Sequence, residues 1–102
     1  MTHSERDGEL TVDLRGAAVG TLEDFWDAVA APCALPGWFG RNLDAWADAL
    51  NGGGVSAVVD GHTLVVHADR RGLFAGDRPE ARALAAVFEE GRHRLVVHPE
   101  GG

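Results

Sequence analysis

The sequence holds a single cysteine, Cys33, and no apolar run long enough for a membrane span or the core of a secretion signal. One cysteine excludes an internal disulfide and fits a reducing compartment, where its plainest use is as a small buried hydrophobe. Positive charge is also scarce, with 9 basic residues against 16 acidic ones and a formal net charge of −7. Phosphate backbones and anionic lipid repel such a chain, so its natural partner should be basic. Neither a Cys-x-x-Cys pair, nor a phosphate-binding glycine loop, nor a serine or cysteine nucleophile signature is present, which argues against an enzyme and implies no cofactor. Internal repeats are absent, and the only compositionally biased stretch is Gly52 to Gly54. With a polar start from Met1 to Leu10, the expected location is the cytoplasm.

What is present suits one globular domain over residues 1–102: 45% of them are apolar and 25% charged, enough for a modest core. Residues 1–8 and 99–102 read as flexible ends. Leu10, Val12 and Leu14 alternate with polar residues as in a strand closed by Gly16. Thr21 caps a predicted helix in which Leu22, Phe25, Trp26 and Val29 recur at helical spacing, ending near Pro32. Asn42 caps a second, with Leu43, Trp46, Ala47 and Leu50 as its apolar stripe, stopped by Asn51-Gly52-Gly53-Gly54. Residues 55–66 allow two readings: a hairpin around Asp60-Gly61, or a loop feeding one strand from Leu64 to His67, which is preferred. Asp77 and Glu80 bracket Pro79 as a helix start, Leu84, Val87 and Phe88 supply its buried face, and Leu95-Val96-Val97 is a final strand. Strands separated by helical connections favour an α/β fold with a small parallel sheet covered by helices.

The most informative segment is Leu35 to Leu50. A cap at Asn42 places Asp44 and Asp48 four residues apart on one helix face. By themselves two such carboxylates are usually no more than a solvated surface. Their flank, Leu35-Pro36-Gly37-Trp38-Phe39-Gly40-Arg41-Asn42-Leu43-Asp44-Ala45-Trp46, resembles the barstar family of ribonuclease inhibitors. The shared pattern is Leu-Pro, an aromatic pair, Gly-x-Asn-Leu-Asp-Ala and a second aspartate four residues after the first. The resemblance implies a three-stranded parallel sheet with helices against it. It also implies a helix and preceding loop that enter a nuclease active site in place of RNA phosphates. Carried over by position, the partner-binding residues are Trp38, Phe39, Asn42, Leu43, Asp44, Asp48, Asn51 and Gly52. The implied partner is a basic extracellular-type ribonuclease or ribonuclease toxin, bound one to one, with no direct contact to nucleic acid.

The chain departs from the family pattern at Ala47 and Gly53, where an aromatic residue is common, and at Arg82, where an acid is usual, with Glu80 nearby. These departures put the identity of the target nuclease in question. Two other readings compete. One is a barstar-like fold used as a general interaction module without nuclease inhibition, since fold alone does not decide function. Separately, His67 and His98 each end a Leu-Val-Val-His string, and adjacent strands in register would bring them together as zinc ligands. Strand-end histidines are more often solvent-facing, so no metal site is expected.

Overall fold

Leu10 and Val12 alternate with polar residues, and in the computed structural model, which describes residues 2–6, 8–76 and 78–99, both lie fully buried on strand β2 (Glu9–Asp13). Parallel neighbours follow in chain order: β3 (Thr63–Asp69) beside β2, and β4 (Arg94–His98) beside β3. Each parallel step needs a long crossover. The first is made by α1 (Leu22–Ala30), α2 (Leu43–Ala47) and α3 (Ala57–Asp60), the second by α4 (Pro79–Glu89). A three-stranded parallel sheet with helices packed on it is therefore the expected architecture, realised.

Two features differ from the sequence reading. The lead-in, expected to be flexible, contains strand β1 (Thr2–Arg6), antiparallel to β2 with Thr2 opposite Asp13 and Arg6 opposite Glu9. Its neighbour's backbone, not an apolar pattern of its own, supplies the pairing, and Gly8 at φ +81° sits in the reversal between them. Residues 100–102, also expected to be flexible, lie outside the described part, as does Asp77. The second difference is α3. Ser56 accepts a hydrogen bond from the Val59 N–H at 3.2 Å, and Gly54 N–H donates to the Asp60 carboxylate at 2.8 Å. These side-chain caps wind Val58-Val59 into a helical turn, so the hairpin alternative fails and the single-strand reading stands.

Aromatic rings fill the space between α1, α2, α4 and the sheet. Trp46 has no exposed surface and meets Phe25, Trp26, Phe39 and Phe88 at centroid separations of 5.6, 5.7, 6.4 and 6.0 Å. Among the described residues its indole N–H finds no acceptor. Cys33 is buried as expected, and burial pushes its thiol up to about 12, so it stays an inert thiol.

A polar link joins the sheet to the helical layer. The buried His93 imidazole accepts the Leu64 N–H at Nδ1 (2.8 Å) and donates from Nε2 to the Leu50 carbonyl (2.9 Å). The ring thus serves a backbone donor at the start of β3 and an acceptor beyond α2, which fixes the neutral tautomer. Burial lowers its affinity for a proton from the ordinary 6.5, and the half-buried His67 shifts the same way for the same leading cause.

Two outcomes are expected. Trp46→Ala should cost about 3–5 kcal/mol in chemical denaturation, while Trp46→Phe should cost clearly less, because it removes an unpartnered buried donor worth about 1–3 kcal/mol of desolvation. As for pH, the unfolded chain takes up protons at 6.5 that the folded state resists. Stability should therefore be full above that value and fall as pH drops below it towards the folded values. Melting curves from about pH 7.5 to 5 should show this loss, and His93→Gln, which keeps one donor and one acceptor, should remove part of the slope.

Candidate functional site

The segment from Leu35 to Arg41 carries the chain from α1 into α2, and its local geometry accounts for the residue types in the motif. A Cβ on Gly40 would stand 3.1 Å from Asn42 Nδ2 and 3.3 Å from Ala45 Cβ, closer than side chains normally approach. Tight space, not backbone angle, favours glycine there. Arg41 then adopts φ +52°, a left-handed conformation that costs a non-glycine residue about 1–2 kcal/mol. Its guanidinium offsets that strain by bonding Glu23 at 2.6 Å and Asp27 at 2.7 Å, tying the loop to α1. Asn42 closes the turn: Oδ1 accepts the Ala45 N–H at 2.8 Å and Nδ2 donates to the Gly40 carbonyl at 3.0 Å.

From this start α2 turns Trp46 inward and Asp44 and Asp48 outward, both exposed. The Asp48 N–H donates to the Ala45 and Asp44 carbonyls, so one turn separates the two carboxylates. Beyond it the chain opens into a wider π turn, Asp48–Gly52, closed by the Gly53 N–H on the Asp48 carbonyl at 3.1 Å. Gly53 at φ +78° ends it in a conformation that favours glycine.

The pairing of charges sets these two aspartates apart. Asp13 is held down to about 2, chiefly by its hydrogen bonds from the Arg15 side chain. Glu23 and Asp27 share Arg41. Asp24, Asp60 and Asp69 accept backbone N–H groups from Gly20, Gly54 and Gly16. Among the described residues Asp44 and Asp48 have neither a hydrogen bond nor an ion pair. Arg41, three residues before Asp44, is the nearest cation in the chain, and α1 has claimed it.

The other sequence-predicted positions divide. Trp38 is 71% exposed, while Phe39 is buried against Trp26 and Trp46, so the aromatic pair separates into one outward and one core ring. Leu43 is half-buried. Asn42, Asn51 and Gly52 are exposed, yet Asn51 Nδ2 donates to the Val87 carbonyl at 3.2 Å near the end of α4. A Cβ on Gly91 would collide with Asn51 Oδ1, so that glycine makes room for the clamp. Glu80 pairs with Arg78 at 3.6 Å, and Arg82 lies along a groove between α4 and β4. Sequence patterns do not mark Arg41 or His93 as positioning residues, since each acts on backbone or side chains far away in the chain.

A family model described as Barstar (barnase inhibitor) matches residues 9–97. The chain belongs to the barstar family. The barstar match starts at the first residue of β2 and leaves β1 outside. No curated protein matches the chain. Barstar-family members are ribonuclease inhibitors and not enzymes, and membership supports an inhibitor-like role at the family level. Among the described residues no helix is long and apolar enough to cross a membrane.

The histidines do meet. His67 Nδ1 and His98 Nε2 are 2.8 Å apart, with ring centroids at 5.1 Å and planes 26° apart. The centroid separation is close to the N···N distance plus one ring radius at either end, so the rings lie end to end. One imidazole then donates directly to the other's lone pair. Two facing nitrogens that share one proton do not offer a pair of free ligands to a metal ion, and among the described residues no group of three metal-ligating side chains forms. Zinc or cobalt should accordingly leave the melting temperature nearly unchanged. A large rise removed by His67→Ala and by His98→Ala would show that the pair opens to hold the ion.

Proposed function

We propose that this barstar-family protein is a cytoplasmic antitoxin-like inhibitor of a basic ribonuclease, forming a one-to-one complex in which α2 and the loop before it enter the nuclease active site. The observation that carries this reading is the exposed, unneutralised pair Asp44 and Asp48, in a fold that pairs many of its other carboxylates internally. A ribonuclease gathers Arg, Lys and His side chains to bind phosphate and to stabilise the charge developing on it. Two carboxylates on one rigid helix face meet the same cations.

The remaining positions have supporting parts in this reading. Trp38 offers an exposed ring in the loop before α2, suited to packing on the nuclease. Gly52 keeps the far edge low, its Cβ position lying 3.7 Å from Asp48 Oδ1. Asn42, Leu43 and Asn51 border the contact, and the Asn42 and Asn51 side chains hold α2 and the turn after it in place. Phe39 acts from the core, by supporting the loop. Opposite potentials speed encounter, and the desolvated charge pairs slow release. The complex of barnase with barstar is itself a known case of such steering and of an acidic hot spot.

The test uses basic ribonucleases, barnase first, with association, dissociation and RNA cleavage measured for the parent, Asp44→Ala, Asp48→Ala and the double variant. Asp48→Ala should keep the fold and lose about 2–5 kcal/mol of binding, the general cost of truncating one partner of a buried charge pair, mainly through faster dissociation. Added salt should slow association of the parent, because exposed charges are screened beyond about 8–10 Å at ordinary ionic strength. Unchanged inhibition by all three variants would end the active-site-plug reading. Failure to inhibit any basic ribonuclease would favour an interaction module.

A further inference from the structure

The two edges of the sheet differ in kind. β1 includes the charged Glu5 and Arg6, whereas β4 has an uncharged run, Leu95-Val96-Val97, that is half-buried and has a strand neighbour on one side only. An open edge of this composition is a template for another strand. Its backbone direction is fixed by β3: the His98 carbonyl accepts the Arg70 N–H at 3.0 Å. Arg94, Val96 and His98 therefore turn their N–H and C=O groups towards β3, and the alternate residues Leu95 and Val97 turn theirs outwards. Pro99 has no N–H to give and closes the outward row. Beside this edge runs a groove between α4 and β4, in two stretches that share Ala85 and Leu95. Arg70 and Arg82 line one end and Glu89 the other, with Ala85 between Arg82 and Glu89 on α4. Among the described residues the Arg70 guanidinium and the Glu89 carboxylate have neither a hydrogen bond nor an ion pair. Arg78 and Arg94 are engaged elsewhere, Arg78 on the Gly20 and Gly72 carbonyls and Arg94 on Glu9 at 3.5 Å.

We propose that β4 is the interface of a symmetric dimer, in which β4 of a second copy of this chain adds to it antiparallel. An interface of that symmetry must be complementary to itself. With Val96 on the two-fold axis, Leu95 of each copy lies opposite Val97 of the other. Both residues have outward backbone groups, so each pair exchanges both of its hydrogen bonds. Side chains directly opposite share a face of the sheet, so Leu95 and Val97 of the two copies meet on the side of the grooves. The same axis reverses α4, which brings the arginine end of each groove towards the Glu89 end of the other. Parallel pairing would instead set like ends together, and a register shifted by one residue would oppose outward groups to inward ones. The surface is separate from Asp44 and Asp48 on α2 and does not rest on nuclease inhibition.

Sedimentation equilibrium over a range of concentrations should show monomer and dimer in exchange. Hydrogen exchange should show the Leu95 and Val97 amides gaining protection as concentration rises, while the Val96 and His98 amides, bonded to β3, are protected throughout. Glu89→Arg, checked for its fold by circular dichroism, should weaken the dimer about tenfold or more, since a two-fold interface loses the contact twice. Combining Glu89→Arg with Arg70→Glu and Arg82→Glu reverses both ends of the groove and should restore association. The proposal is overturned if the chain is still monomeric at roughly 1 mM. It is also overturned if concentration-dependent protection appears at β1 or α2 instead, if Glu89→Arg leaves the dimer intact, or if the folded triple variant stays as weak as Glu89→Arg.

Discussion

Burial of Trp46 is the constraint on which both the fold and the acidic face depend. Five residues of α2 are too few to be stable alone, since the cost of starting a helix is recovered only over several turns or by tertiary packing. Packing of the indole among Phe25, Trp26, Phe39 and Phe88 supplies that support and also fixes the rotation of the helix about its axis. Once Trp46 points inward, Asp44 and Asp48 point outward. Core and surface are set by one side chain.

The exposed pair carries a local cost, because like charges one turn apart oppose helix formation by about 0.2–0.5 kcal/mol. The N-terminal position of Asp44 and the Asn42 cap offset it. Arg41 could have neutralised this face. Its left-handed backbone and its two partners on α1 instead commit its guanidinium elsewhere, so the same contacts that brace the loop leave Asp44 and Asp48 unpaired. In the proposed complex this arrangement favours binding, since a carboxylate already bound within its own chain has less to gain from a partner.

Polar contacts of long sequence range hold the layers in place. His93 spans from β3 to the turn after α2, and Asn51 reaches from that turn to the end of α4. Both converge on the π turn, Asp48–Gly52, so the far edge of the acidic face is anchored from the sheet and from the last helix. The β4 edge has a different character: it ends the sheet, with a neighbour on one side only.

Short-range features were legible in the sequence because their causes are local. Alternation set β2, helical spacing and a capping threonine set α1, and Gly-x-Asn-Leu-Asp-Ala encoded its own turn, cap and helix start, down to the tight space at Gly40. By itself, then, the sequence determined the parallel α/β order, the family and the placement of Asp44 and Asp48 on one helix face. It could not show β1, whose polar residues are held by a neighbour's backbone, nor α3, where capping by Ser56 and Asp60 outweighed the β preference of Val58-Val59. Nor could it separate Trp38 from Phe39, since two adjacent rings differ only in which one the core admits. The meeting of His67 and His98, the burial of His93 and the diversion of Arg41 to α1 were decided by tertiary structure alone. Each joins groups from distant parts of the chain, and only the packed sheet and helices bring them within hydrogen-bonding distance.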